Sequence, residues 1–340
     1  MTPDVNESHT AAAAPPPGRY LVTGASGFLG AHLIRRLVAA GCEVTALDVA
    51  PPPVIPAGVR YARCDLRDRD AVRGAVARGS VDYAVHLAAR VGDWGTFEDF
   101  EAINVTGTRH VLEALADAGA RRAVHISSIA AMGLDAGDAA DERVGPFAAG
   151  DAYSATKGAG EMVARELQRG GAPVVIVRPG DVYGVGSVPW VVRPVQLMRE
   201  GKMILVEGGR GHFAHAHVDN VLDGVLLALA SERATGETFI LTDGDARCTI
   251  GEYFTRLADA AGVPRPTRSA PRALAKAVAL GFETAARITK RPPAFTRAAV
   301  DFVLRRGSFD VSKARTVLGW APRVSLDAGL AQLKAHYQAS

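Results

Sequence analysis

Two side chains with complementary proton chemistry stand four residues apart in Asp151-Ala-Tyr153-Ser-Ala-Thr-Lys157-Gly158. In a helix that spacing puts both on one face, within reach of one small molecule. A phenol titrates near pH ~10, too high to exchange protons at neutral pH. An ammonium beside it favours the phenolate and lowers that value. Tyr153 and Lys157 are therefore candidates for a tuned general acid/base.

A second constellation lies near the start of the chain. Thr23-Gly24-Ala-Ser26-Gly27-Phe28-Leu29-Gly30 follows a short apolar run and opens a helical pattern. Gly24 permits a tight turn, Gly27 lets backbone approach a pyrophosphate at the helix N-terminus, and Gly30 lets helix and strand pack closely. Asp48 ends the next apolar run, 24 residues after Gly24. A carboxylate there accepts a hydrogen bond from a ribose 2′-hydroxyl and repels a 2′-phosphate. Val49, Ala50 and Pro51 follow, with no Arg to hold a phosphate. The expected dinucleotide is NAD rather than NADP. Asp65, in Cys-Asp65-Leu66-Arg, is a candidate for the adenine amine or, equally, a helix-leading Asp. His215 and His217 would share a strand face with His212 nearby, but no Cys or Glu completes a zinc site, so no metal is expected. Asp219 and Asn220 are expected to cap the helix that follows.

These side chains must be placed by regular elements. Short apolar runs at 20–23, 44–48, 59–65, 81–87, 123–127 and 174–177 alternate with helical patterns at 29–40, 70–78, 97–118 and 153–169. Strand-helix alternation implies βαβ units, an α/β fold of the Rossmann, doubly wound type with a parallel sheet. Strands this apolar fit a sheet covered on both faces. After Pro179 the rhythm changes to helices at 190–200, 218–229, 250–261, 272–288 and 326–337, interrupted by a strand at 238–242. This predicts a smaller, mainly helical C-terminal substrate region over the carboxyl edge of the sheet, where ligands of open α/β sheets bind. The expected division is a disordered tail at 1–18, an NAD-binding domain at 19–177 to which 213–243 returns, and a substrate region at 178–212 and 244–340. The segment 270–286, apolar on one face, is read as a lid or core helix in preference to a membrane-surface helix.

Bulk properties narrow the class. A chain of 340 residues with 48% hydrophobic content can bury a large core. A net charge of +3, with Lys/Arg and Asp/Glu interleaved, gives no sign of a nucleic-acid partner. Cys42, Cys64 and Cys248 are odd in number and widely spaced, which argues against a disulfide framework and fits a reducing compartment. No signal-peptide pattern and no membrane-length apolar run is present, so a cytoplasmic protein is expected.

Further motifs stand in order along the chain: His86-Leu87-Ala88-Ala89, Asn104-Val-Thr-Gly-Thr108, Ser127-Ser128, Arg178-Pro179 with Val182-Tyr183-Gly184, His217-Val-Asp-Asn220, and Phe309-Asp-Val-Ser-Lys-Ala-Arg315 with Leu-Gly-Trp320. Together with the glycine loop, Asp65-Leu66 and Tyr153/Lys157, they make the chain resemble the extended short-chain dehydrogenase/reductase family. That family contains NAD-dependent epimerases, dehydratases and 3β-hydroxysteroid dehydrogenases. The resemblance runs from about residue 19 to the C-terminus. It implies that Tyr153 is the acid/base and that Lys157 lowers its pKa and holds the nicotinamide ribose. The family's third catalytic hydroxyl falls on Ser128, counting back from Gly133, with Ser127 as the alternative. Leu87, Ala88, Arg90 and Pro179 are implied to line the cofactor beside Ser26, Phe28, Leu29 and Leu66, with Asn104 buttressing the site.

Two departures bear on the branch. Sugar-nucleotide members usually carry Asn where this chain has Asp181, whose charge would repel a diphosphate. They usually carry Arg where this chain has Phe213, which removes a bidentate phosphate clamp. With Trp94 in Val-Gly-Asp-Trp94-Gly, these positions look more like the steroid-dehydrogenase and ketoreductase branch. The expectation is an enzyme interconverting a secondary alcohol and a ketone on a hydroxysteroid-like or polyketide-like substrate, with Trp94, Ser128, Asp181 and Phe213 facing it. A nucleotide-sugar epimerase or dehydratase and a non-catalytic NAD(H) sensor are the alternatives. The resemblance further implies a homodimer through the helices near 97–118 and 151–169.

Overall fold

A computed structural model describes residues 11–52, 54–77, 81–244 and 248–339. Six short apolar segments form successive strands: β1 (Arg19–Thr23), β2 (Glu43–Asp48), β3 (Val59–Arg63), β4 (Tyr83–His86), β5 (Arg122–Ile126) and β6 (Val174–Pro179). Two pairs of three-residue strands follow. β7 (Asp181–Tyr183) pairs with β9 (His215–His217), and β8 (Ile204–Val206) pairs with β11 (Arg268–Ala270). The remaining strand, β10 (Thr238–Leu241), hydrogen-bonds β6. The main sheet has seven strands in the order β10-β6-β5-β4-β1-β2-β3, and every pairing in it is parallel. This is the Rossmann order that the alternation predicts. It reverses direction between β1 and β4, which opens a crevice at their carboxyl ends.

Alternation along each strand splits the core in two. Tyr20 and Val22 of β1 face one way, toward Leu33, Ile34 and Leu37 of α1 (Phe28–Ala39). Leu21 faces the other way, toward Val72 of α2 (Arg69–Ala77). Further along that second face lie α3 (Phe97–Glu101), α4 (Thr108–Asp117) and α5 (Ala152–Arg169). The expected continuous helix over 97–118 is interrupted: Ala102–Gly107 forms a wide π turn that joins α3 to α4. One extra residue per turn leaves the apolar spacing legible as helix while rotating Asn104 inward.

Beyond β6 a third core gathers Trp190, Phe213, Tyr253, Phe254 and Leu333, where α6 (Arg193–Arg199), α8 (Ile250–Ala261) and α12 (Leu326–Ala339) meet. α8 begins at a capping box of Thr249 and Glu252 and ends on Gly262 at φ 65°. Between these, α7 (Val218–Ala230) lies back on the main sheet through Val221, Leu222 and Val225. His217, not Asp219 or Asn220, caps α7, accepting from the Asp219 N–H at 3.2 Å. Asn220 is instead fully buried and bonded to the Val324 backbone.

Two expectations change. Residues 1–10 of the expected disordered tail lie outside the described residues, but 11–18 are held in place. The Ala13 N–H donates to Asp223 at 3.0 Å and the Tyr20 hydroxyl donates to the Pro16 carbonyl at 2.6 Å. Proline already restricts this stretch, so fixing it costs little entropy. The segment 270–286 is also not a core helix. α9 (Arg272–Thr289) turns Ala275, Ala279, Glu283 and Ala286 inward and leaves its large apolar side chains exposed. The turn after it leads to α10 (Arg297–Phe302) and α11 (Ser312–Leu318). Among the described residues, no helix is long and apolar enough to cross a membrane.

Candidate active site

The crevice is floored by the glycine loop between β1 and α1. Gly24 has φ +68°, and a Cβ there would sit 2.7 Å from the Ala88 nitrogen. A Cβ on Gly30 would collide with the Gly24 carbonyl. Only glycine lets this loop lie so close to β4 and to its own helix. No side chain caps α1 at Gly27, so the first N–H groups of the helix remain open toward an anion. Phe28 stacks edge-on against His32 at 5.1 Å, and Leu29 is half-buried beside it. At the end of β2 the Asp48 carboxylate accepts from the N–H groups of Ser26 at 2.9 Å and Val49 at 2.7 Å. Ser26 itself donates to the Ala50 carbonyl at 2.6 Å. A close-approach loop, an uncapped helix N-terminus and an acid at the next strand end fit an NAD dinucleotide.

Asp65 is engaged locally. It holds the Arg67 guanidinium at 2.6 Å and accepts the Arg67 N–H at 3.0 Å. These bonds draw its carboxyl below the ordinary range despite partial burial. That geometry favours the turn-forming role over the adenine contact. Leu66 is buried, and its carbonyl lies 2.8 Å from His110 Nδ1.

The loop after β4 is fixed from two sides. Leu87 and Ala88 donate to the Thr23 carbonyl and hydroxyl at 3.3 and 3.2 Å. Asn104 accepts from the Arg90 N–H at 2.7 Å and donates to the Arg90 carbonyl at 3.1 Å and to Thr156 Oγ1 at 3.0 Å. It therefore ties this loop to α5. The Arg90 guanidinium lies over the Phe100 ring, and Trp94 is half-buried further along.

Asp151 caps α5 by accepting from the N–H groups of Tyr153 at 3.0 Å and Ser154 at 3.1 Å. This sets Tyr153 in the first helical turn. The Ser128 hydroxyl accepts from the Ala130 N–H at 3.1 Å and lies beside the Tyr153 phenol. Ser127, the alternative, turns into the fold instead, and its hydroxyl donates to Glu161 at 2.7 Å. Burial raises the Tyr153 phenol above its ordinary value, partly opposed by the neighbouring Ser128 hydroxyl. Lys157 donates from Nζ to the Ile126 carbonyl at 2.5 Å. Burial lowers its pKa to about 8, with Glu161 pulling the other way. The expected lowering of the phenol by the ammonium is thus absent here: burial dominates at Tyr153, and Lys157 is held by backbone.

Sequence reasoning missed two features behind these residues. His86 and His125 stack at 5.3 Å beneath Lys157, and burial pushes His86 down to about 3. Glu161 is fully buried, accepts from Arg178 at 2.7 and 2.9 Å, and joins α5 to β6 beside Pro179. The register that pairs His86 with His125 is a property of the sheet, and no spacing in either strand announces it.

Two expected substrate residues are corrected. Asp181 is buried, forms an ion pair with Arg305 and accepts from the Ala214 N–H at 3.0 Å. Its charge is offset inside the fold and does not face a ligand. Phe213 is fully buried, with its ring 3.9 Å from Tyr253 and 4.8 Å from Trp190. It packs the third core. His215 Nδ1 lies 3.4 Å from Asp243, and among the described residues no three His, Cys, Asp or Glu side chains gather as a metal site.

Known proteins resemble this chain in sequence and fold. A sequence model of the NAD dependent epimerase/dehydratase family matches residues 20–241. A 4-hydroxy-2-methyl-3-oxo-4-farnesyl-3,4-dihydroquinoline-1-oxide ketoreductase of Stigmatella aurantiaca is 32% identical over 93% of this chain and 96% of its own. Sterol demethylase protein B of Methylococcus capsulatus is 35% identical over 89% of this chain and 93% of its own. The Thermus thermophilus UDP-glucose 4-epimerase, solved with NAD, superposes with a TM-score of 0.75 at 25% identity, covering 95% of this chain and 99% of that one. This chain therefore belongs to the NAD-dependent epimerase/dehydratase family, within the extended short-chain dehydrogenases/reductases.

Proposed function

We propose that the protein interconverts a secondary alcohol and a ketone on a hydrophobic substrate, using NAD in preference to NADP. The observation that carries this reading is the Ser128–Tyr153 hydroxyl pair, set at the carboxyl edge of the sheet beside Lys157. Relatives named for a farnesyl-bearing ketone and for sterols support the hydrophobic class. Gly24, Gly27 and the first turn of α1 would hold the pyrophosphate, and Asp48 a ribose. The bound nicotinamide supplies or accepts the hydride. Ser128 polarises the substrate oxygen, and Tyr153 exchanges a proton with it. Burial keeps the phenol protonated, the form needed to give a proton to a ketone oxygen.

The test follows NADH absorbance with long-chain ketones, sterol ketones and aromatic polyketide ketones. Turnover of one of these classes, falling about 10²–10⁴-fold in Tyr153→Phe, is expected. Interconversion of UDP-glucose and UDP-galactose with no ketone turnover would establish the nucleotide-sugar reading instead. Tight NADH binding with neither activity would make the protein a sensor.

A further inference from the structure

The exposed face of α9 has the composition of a membrane-surface helix. Leu274, Val278 and Phe282 recur at intervals of four, and Ile288 follows six residues later; they are 55%, 43%, 40% and 78% exposed. Only the small side chains Ala275, Ala279 and Ala286, with Glu283, turn inward. An amphipathic helix normally buries its large apolar face, so this one is mounted the other way round.

Charge supplies the second observation. Residues 268–297 contain seven Lys or Arg and one Glu, net +6, against +3 for the entire chain, so the rest of the molecule is net negative. The lone acid, Glu283, is paired with Arg297 at 2.9 Å. Arg287, Lys290 and Arg291 are exposed beside Ile288. A basic segment around an exposed apolar stripe complements an anionic lipid surface, whereas two such faces would repel each other.

The position of the helix is the third. The turn after α9 is anchored by Thr296, which donates to Asp93 at 2.7 Å, and by Arg193, which donates to the Ala294 carbonyl at 2.6 Å. Phe282 packs edge-on against Phe295 in that turn. Asp93 precedes Trp94 in the loop that Asn104 fixes beside the site. The turn after the helix therefore meets the loop that leads to the site.

We propose that α9 docks the protein on anionic lipid membranes, with Leu274, Val278, Phe282 and Ile288 entering the headgroup boundary. The surface stands on its own observations, and only its use in delivering substrate rests on the hydrophobic-substrate reading. Purified protein would be floated with vesicles of phosphatidylcholine alone and with vesicles containing equal phosphatidylglycerol. Co-flotation with the anionic vesicles, weakened by salt and reduced at least about tenfold in the triple variant Leu274→Gln/Val278→Gln/Ile288→Gln, is expected. The variant should keep the wild-type melting temperature, because the three side chains are exposed. Failure of the wild type to float with either vesicle, or flotation of the variant like wild type, overturns the proposal. A wild-type dimer that the variant turns into a monomer would show that a second copy covers the face, and also overturns it. Turnover of a short water-miscible ketone without vesicles should be equal in both proteins. Its absence in both would count against the function reading and leave the flotation result intact.

Discussion

Lys157 carries its charge where water cannot follow. Its ammonium is buried against the Ile126 carbonyl, and its pKa falls from 10.5 to about 8. The unfolded chain holds that proton up to the ordinary lysine value, while the folded chain releases it earlier. Between the two values the unfolded state binds more protons, so stability rises with pH across that window. Below about 8 both states are charged and the penalty is constant. Comparing urea unfolding of wild type and Lys157→Met removes the contributions of other groups. The wild type should gain about 2 kcal/mol relative to the variant between pH ~8 and ~10. Parallel curves would show that Lys157 is solvated. Asp48 offers a second test at this scale. Its carboxylate, fixed by the Ser26 and Val49 N–H groups, would repel a 2′-phosphate. Asp48→Ala should raise the NADP-to-NAD ratio of kcat/KM about tenfold or more, a change of ~1.4 kcal/mol. An unchanged ratio places Asp48 away from the ribose.

At the scale of elements, the edge that carries Ser128 and Tyr153 is tied together by Glu161. From α5 it accepts from Ser127 at the end of β5 and from Arg178 of β6, while Arg178 donates to the Val144 carbonyl at 2.8 Å. Burial pushes the Glu161 carboxyl up, but the hydrogen bonds and charge of Arg178 outweigh it and leave it below the ordinary value. Glu161→Gln leaves the buried Arg178 charge without its counterion, which should cost about 3–5 kcal/mol in denaturant unfolding. A loss below ~1 kcal/mol would mean that the network relaxes around a neutral partner. Elements defined by period were legible beforehand: the expected helix at 250–261 coincides with α8, which the Thr249–Glu252 capping box opens and Gly262 ends. The glycine loop, the acid after it and the Tyr-Lys pair were legible because their chemistry is local in sequence. The π turn at 102–107 was not, because widening one turn hardly alters the apolar spacing around it. Asp181 was misread because its partner, Arg305, lies on a distant segment that no spacing connects to it. The orientation of α9 was hidden for a related reason: a sequence shows that a helix has an apolar face, but not which face the rest of the chain covers.

Across the whole molecule, the two ends of the chain meet on α7. Asn220 uses its full hydrogen-bonding inventory there. Its amide donates to Asp243 and to the Val324 carbonyl, each at 2.8 Å, and its side-chain oxygen accepts from the N–H groups of Arg323 and Val324. Its backbone carbonyl accepts from the Trp320 indole at 2.8 Å. Trp320 is buried in the core that also holds Tyr20 and Val22 of β1, although it belongs to the last segment. Arg323 donates to Asp223 at 2.6 Å, and Asp223 also holds Arg36 and the Ala13 N–H. The segment 320–324 is thus a strap that closes the Rossmann half from the C-terminal side. Trp320→Ala should cost about 3–5 kcal/mol by opening a cavity. Asn220→Ala strands the buried Val324 N–H, at about 1–3 kcal/mol, and frees the half-buried Arg323 N–H. If both act by holding the strap, removing either one loosens the segment that the other grips. The double variant should then fall short of the sum of the single losses by about 0.5–3 kcal/mol, read from a denaturant double-mutant cycle. Strict additivity would mean that the indole and the amide stabilise independent regions. The coupling should persist in the presence of Tyr153→Phe, because the strap grips α7 and makes no bond to the Ser128–Tyr153 pair.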